Sequence, residues 1–160
     1  MFKILYPLLM LFGLFLNITS FSQKANISKT HFKKDTSQYA IIKFNKTNSW
    51  IFKNVKATTL TLSEIELIKS ILKTAIIEHN KTIKNNLFAI RPQADYKIQI
   101  VSILNRKGEK VVWVNCLCDG KGNKWRTEII IVEDGGNWYF NLKINLTKKT
   151  FYQMLVNGYA

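Results

Sequence analysis

The sequence of 160 residues predicts an α+β fold in which one long helix packs on a curled antiparallel sheet. Two patterns carry this prediction. Apolar and polar residues alternate along residues 96–104 and 138–146, as they do in strands with one buried face. Between Ile65 and His79, apolar residues instead recur at spacings of three and four, which is the period of an amphipathic helix. The predicted order is one strand, the helix and a meander of four strands.

The N-terminus has the pattern of a secretory signal peptide over residues 1–22. Lys3 precedes an uncharged apolar run that is shorter than the roughly 20 residues of a membrane-spanning helix. Ser20 and Ser22 place small side chains at the positions that a signal peptidase requires for cleavage before Gln23. We therefore expect export to the periplasm or the extracellular space, with no membrane span after cleavage. An uncleaved membrane anchor is the alternative.

Cleavage would leave a polar arm, residues 23–37, and a single α+β domain, residues 38–160. The arm has no apolar periodicity, so we expect it to be flexible and to add little to the core. The first strand is predicted over Gln38–Phe44, where β-branched and aromatic residues form a short run before a polar break.

The helix has two overlapping start signals. Thr61 and Ser63 are each followed three residues later by a glutamate, which fits a capping box. In this motif the hydroxyl accepts a bond from a free backbone N–H, and the glutamate accepts one in return. The helix should therefore begin between residues 61 and 64, and we expect it to end within residues 80–86.

The meander follows a stretch in which Pro92 excludes a helix. Short breaks that contain glycine separate its four predicted strands, residues 96–104, 109–117, 125–133 and 138–146. In the last strand, Trp138, Phe140 and Leu142 share one face and are expected to meet the helix. The tail, residues 150–157, fits a short helix or an edge strand, and we favour the strand.

The net charge of +14 would suit nucleic acid, anionic lipid or an acidic polymer as a partner. The lysines are scattered rather than clustered, however. Lysine, isoleucine and asparagine are all frequent here and all have AT-rich codons, so genome composition explains much of the charge. A polyanion binder is thus a lesser alternative, and we do not expect a nucleic-acid partner.

Two cysteines, Cys116 and Cys118, project to the same side of a predicted strand because they are two residues apart. They could be buried thiols, a local disulfide that export would favour, or ligands of a metal. A zinc site needs about four ligands, and the chain offers only His31 and His79 in addition. We therefore expect no metal and no cofactor.

Catalytic motifs give no support for an enzyme. The sequence contains no nucleophile elbow, phosphate-binding loop or zinc-protease helix phrase. His79 lies on the apolar face of the predicted helix, where a histidine usually bonds to a backbone carbonyl rather than acting as a base. The sequence therefore leans towards a protein without catalytic activity.

Four phrases resemble a family of small secreted bacterial proteins to which no activity is attached, and they are Leu60–Ile65, Gly108–Cys116, Asp134–Phe140 and Val156–Ala160. The order of elements also resembles the cystatin-like architecture. That second resemblance implies inhibition of cysteine proteases by an N-terminal arm and two hairpin turns. The first hairpin of cystatins carries a Q-x-V-x-G phrase, which Gln99 and Val101 match but in which Ile103 replaces the glycine. The second carries Pro-Trp, of which only Trp138 is present, so protease inhibition is a lesser alternative.

The meander also predicts where a partner binds. The first and third turns of four consecutive hairpin strands lie at the same end of the sheet. This would bring Arg106 and Lys107 close to Asp134, with Trp138 just inside the third turn, and loops on a rigid sheet are a common place for function. The alternative is that these turns are only tight hairpins.

The leading prediction is a non-enzymatic, exported module that binds another protein or a component of the bacterial cell envelope. The alternative is a small-ligand or weakly catalytic pocket between helix and sheet. Aromatic residues of the meander could also line a groove for a sugar, a peptide or an apolar ligand.

Overall fold

One long helix and six strands make up the computed structural model, which describes residues 38–119 and 122–159. The elements are β1 (Tyr39–Ile42), β2 (Lys56–Ala57), α1 (Leu62–Thr82), β3 (Lys97–Leu104), β4 (Lys110–Leu117), β5 (Tyr139–Asn145) and β6 (Thr150–Val156). The predicted signal peptide, residues 1–22, and the predicted arm, residues 23–37, lie outside the described residues. Across the described ranges, no helix combines the length and the apolar character that a bilayer crossing requires.

The sheet is open and mixed, in the order β1-β3-β4-β5-β6, and β2 pairs with the C-terminal end of β3. The α+β class is confirmed. The purely antiparallel sheet is a wrong prediction, since β1 runs parallel to β3, with Tyr39 opposite Ile98. A parallel pair needs a long crossover connection, and α1 lies within the segment that provides it.

Helix α1 begins where the sequence predicts. Thr61 is the N-cap, and its hydroxyl accepts the Glu64 N–H at 3.2 Å while the Glu64 carboxylate accepts the Thr61 N–H at 2.8 Å. The helix ends at Thr82, inside the predicted range. Its apolar stripe packs on one face of β3, β4 and β5, and its buried residues are Ile65, Ile68, Ile71, Leu72, Ala75 and Ile76.

The predicted third strand of the meander, residues 125–133, is wrong. The chain leaves β4 at Leu117 and returns as β5 at Tyr139, which lies directly opposite it. The intervening segment packs on the face of the sheet that is turned away from α1, where Trp125 and Ile130 are buried against Leu117. We call this face the outer face.

Two buried amides replace the missing strand pairing. The Gln99 side chain donates to the carbonyls of Trp125 and Glu128, at 2.7 and 2.6 Å, and accepts the Ile130 N–H at 3.0 Å. Asn115 donates to the Ile130 carbonyl at 2.8 Å. These bonds provide partners for four backbone groups of the segment, which would otherwise need a neighbouring strand.

The tail forms the edge strand that we favoured. β6 pairs with β5, but the register shifts between Asn141 and Lys143, where Gln153 adopts a φ of 51°. This bulge turns the side chains on both sides of it to the same face, so that Tyr152 lies opposite Lys143 and Leu155 opposite Asn141. Both Tyr152 and Leu155 are exposed on this face.

Candidate functional site

Trp50 is the most exposed tryptophan of the described residues, with 56% of its surface open to solvent. It follows a single helical turn in which Asn45 and Asn48 cap each other, since the Asn45 N–H donates to Asn48 Oδ1 at 2.8 Å. The residue after it, Ile51, is buried against the outer face of the sheet. The turn and this anchor hold an aromatic side chain at the surface of a rigid sheet.

The Trp50 ring stands edge-on against Trp113, with ring centroids 5.7 Å apart and an angle of 80° between the planes. Trp113 is buried in β4, and its Nε1 donates to Asn141 Oδ1 at 3.2 Å. Edge-to-face pairs of this kind are favourable beyond their buried area. The orientation of Trp50 is therefore set by the sheet beneath it.

Open grooves lie on both sides of Trp50. One, of about 340 Å³, extends over β5 and β6 and is lined by Trp50, Ile51, Trp113, Asn141, Lys143, Gln153 and Leu155. The other, of about 310 Å³, extends towards the segment after β4 and includes Ile42, Glu128, Ile129 and Ile131. We call the first one the outer groove. Leu155 is 62% exposed in this groove, and Tyr152, which lies opposite Lys143 in the sheet, is 42% exposed.

Lys143 supplies the positive charge of the outer groove. Its ammonium lies 5.0 Å from the centroid of the Phe52 ring, a cation–π contact. Partial burial lowers the pKa of Lys143 below its ordinary value, because desolvation penalises the charged form. Among the described residues, no carboxylate forms an ion pair with it. An anionic group in this groove would therefore meet a cation that is not already paired with a carboxylate of the described residues.

No family model, curated protein or solved structure matches this chain.

The predicted binding turns lie at opposite ends of the sheet. Arg106 and Lys107 follow β3, whereas Asp134 and Trp138 precede β5, and the antiparallel register places Leu104 and Leu117 at opposite ends of their strands. The expectation that these turns adjoin is wrong. It depended on a third hairpin strand, and without that strand the turn after β5 takes the place beside the first turn. There Lys148 forms an ion pair with Glu109 at 2.9 Å.

The Asp134–Asn137 turn has a structural role. Gly136 has a φ of 54°, and a Cβ there would collide with the ring of Tyr159. The Gly136 N–H donates to the Gly158 carbonyl at 2.9 Å, and the Tyr159 hydroxyl lies 3.1 Å from Asn137 Oδ1. This turn and the C-terminal phrase therefore hold each other in place.

Trp138 does not meet the helix, unlike Phe140 and Leu142, which do as predicted. It is 45% exposed and lies under the Arg91 guanidinium, 4.7 Å from the ring centroid. It is a second exposed tryptophan, at the end of the sheet opposite to the Arg106 turn. It lines neither of the two grooves beside Trp50.

The two cysteines are free thiols. Cys116 lies in the core beneath α1, and burial raises the pKa of its thiol well above the ordinary value. Burial also raises the pKa of the Cys118 thiol, although the charge of Arg91 opposes this. A thiol must ionise to act as a nucleophile or as a metal ligand, so neither cysteine is activated for chemistry. Within residues 38–119 and 122–159, no cluster of three metal-ligating side chains occurs.

Two further predicted features are structural as well. His79 lies at the end of α1 with its Nε2 3.3 Å from the Phe88 carbonyl, which agrees with the expected backbone bond. Gln99 and Val101, the partial match to the cystatin phrase, are fully buried in the middle of β3. Neither residue lies at a hairpin turn, so they cannot form a wedge for a protease cleft.

Sequence reasoning missed Trp50 and Leu155 as site residues. Alternation along residues 139–145 does place Lys143 on the face away from the helix, and this local signal is correct. No local sequence signal shows that the turn before β2 and the last strand, β6, lie beside Lys143 on the same face. That meeting depends on the pairing of β4 with β5 and of β5 with β6.

Proposed function

We propose that this protein is an exported, non-enzymatic binding module of the bacterial cell envelope, which recognises a protein partner through the outer groove. The observation that carries the proposal is Trp50, which is held edge-on against Trp113 and open to solvent beside this groove. Tryptophan is enriched among the residues that dominate binding energy at protein interfaces. Export and the envelope location rest on the composition of residues 1–22.

The distribution of apolar surface favours a binding module over an internal pocket. Between α1 and the sheet, apolar side chains such as Leu72, Ile100 and Phe140 fill the space that a pocket would occupy. On the outer face, Trp50, Tyr152 and Leu155 stay exposed together. Apolar surface that is clustered around a groove is typical of an interaction site. The packing of α1 on the antiparallel strands supports a cystatin-like architecture without an inhibitory hairpin.

The two exposed tryptophans allow a matched test. A display library of random peptides of about ten residues, long enough to cover an edge strand, would be selected on the immobilised protein. Binding of the selected peptides would then be compared for the wild type, Trp50→Ala and Trp138→Ala. We expect Trp50→Ala to weaken binding about tenfold or more, as a central interface tryptophan does, and Trp138→Ala to leave it unchanged.

Equal melting temperatures of the two variants would show that the fold is intact in both. If no peptide is enriched, or if Trp138→Ala abolishes binding while Trp50→Ala does not, the outer groove is not the binding site.

A further inference from the structure

The outer side of β6 is an open sheet edge. β6 is the last strand of the sheet, and no described strand pairs with its other side. The opposite edge, β1, is instead approached by the helical turn Lys124–Arg126. An open edge presents a row of backbone N–H and C=O groups that can pair with another extended chain.

A groove lies on each side of this edge. The outer groove includes Gln153 and Leu155 of β6. A second groove, of about 410 Å³, lies on the helix side and is lined by Ser70, Ile71, Thr74, Glu78, Lys149, Thr150 and Phe151. We call it the helix-side groove. Side chains of an added strand would point alternately to the two faces of the sheet, and each face has space to receive them.

The charges indicate which side chains fit. On the outer face, Lys143 lies in the groove without a carboxylate partner among the described residues. On the helix side, the opposite charges of Glu78 and Lys149 offset each other in a groove that also contains the apolar Ile71 and Phe151. An acidic side chain is therefore favoured on the outer face and an apolar one on the helix side.

We propose that β6 binds an extended, acidic peptide segment of the partner protein as an additional strand. In this arrangement a carboxylate of the segment reaches Lys143 beside Trp50, and an apolar side chain enters the helix-side groove. Main-chain hydrogen bonds provide affinity in such complexes, and the side-chain grooves provide specificity. The inference rests on the proposed function, because it specifies how the partner occupies the same outer groove.

Charge also favours this occupant over a second copy of the chain. The protein has a net charge of +14, so two β6 edges would bring like charges together. A segment that carries aspartate or glutamate would instead be attracted by the positive charge of the protein.

Backbone methylation of the bound peptide tests strand addition directly. Only alternate amides of an added strand point at β6, so two versions of one peptide would be made, N-methylated at its odd or at its even positions. We expect one version to bind about tenfold weaker or worse, because its backbone hydrogen bonds are lost, and the other to bind like the parent peptide.

The charge assignment has its own control. Lys143→Gln should weaken binding and reduce its dependence on salt, and replacing the acidic residue of the peptide by its amide should cause a similar loss. The two losses should not add, because they remove one interaction. Lys84→Gln removes an equal charge at an exposed site and should have little effect.

Each of the other possible results would contradict a different part of the proposal. Equal binding of both methylated versions would overturn strand addition and leave the outer groove as a site for side chains alone. If Lys84→Gln weakened binding as much as Lys143→Gln does, the peptide would be attracted by the net positive charge of the protein. The specific contact with Lys143 would then be wrong. A dimer of the protein that the peptide dissociates would make a second copy the natural occupant and overturn the acidic segment.

Discussion

Glu109 connects two turns of the sheet through a single carboxylate. Its Oε1 accepts from Lys148 Nζ at 2.9 Å, and its Oε2 accepts from the Asn105 and Asn145 side chains at 2.8 and 3.0 Å. The bond from Lys148, followed by that from Asn105, lowers the pKa of Glu109 from its ordinary 4.5 to about 2. The charged form is therefore favoured in the folded protein.

This shift predicts the direction of a pH effect. A carboxyl whose pKa is lower in the folded state contributes stability above its unfolded pKa and loses it as the pH falls towards the folded pKa. The free energy of unfolding should therefore decrease between pH 4.5 and about 2. In Glu109→Gln the contribution of this carboxylate to the decrease should be absent. Urea unfolding of the wild type and the variant at several pH values in this range measures the difference. Glu133→Gln, at an exposed position, is the control, and an unchanged profile in Glu109→Gln would contradict the assignment.

At the scale of elements, the segment between β4 and β5 is held on the outer face by side-chain amides. We expect Gln99→Leu to lower the free energy of unfolding by about 3 kcal/mol, because several backbone groups of the segment would lose their buried partner. Gln153→Leu changes an exposed glutamine of β6 and should stay within about 0.5 kcal/mol of the wild type. Chemical denaturation of both variants measures the difference. Equal stabilities would mean that water replaces the amide.

The same segment shows which elements the sequence could predict. Helix α1 was predictable because its capping box and its apolar period are local signals. β3 and β5 were predictable from local alternation, and β4 from the glycine-containing breaks on either side of it. Residues 125–133 have the composition of a strand but no strand to pair with. Their conformation depends on bonds to the side chain of Gln99, which is distant in sequence. In the sequence, Gln99 looks like an ordinary polar residue of an alternating strand.

The candidate site was less predictable than the fold. The break at Arg106 correctly indicated a hairpin, whereas the predicted hairpin at Asp134 is wrong because no strand precedes it. The positions of both turns in space depended on how many strands separate them. Removing one strand from the predicted meander moves the second turn to the opposite end of the sheet. Trp50 carries no local signal that distinguishes it from a core tryptophan, since only the register of distant strands leaves it uncovered.

At the scale of the whole molecule, the proposed export predicts a defined N-terminus. We expect the protein recovered from the cell envelope to begin at Gln23, because small residues at positions 20 and 22 suit signal peptidase. Ser22→Arg should block cleavage and leave the precursor, which mass spectrometry of the purified protein would detect. An intact species that begins with Met1 and stays in the inner membrane of wild-type cells would contradict the prediction.

The bulge in β6 also affects how the protein behaves in concentrated solution. An open sheet edge exposes backbone groups that can pair with those of other copies and seed fibrils. At Gln153 the positive φ bends β6, so its edge is not a straight template. A flexible peptide can follow this bend, whereas the preformed edge of a second folded copy cannot. We therefore expect the bend at Gln153 to admit the proposed peptide and to disfavour amyloid-like stacking of the protein, and thioflavin fluorescence of a concentrated sample, which should stay low, measures the second effect.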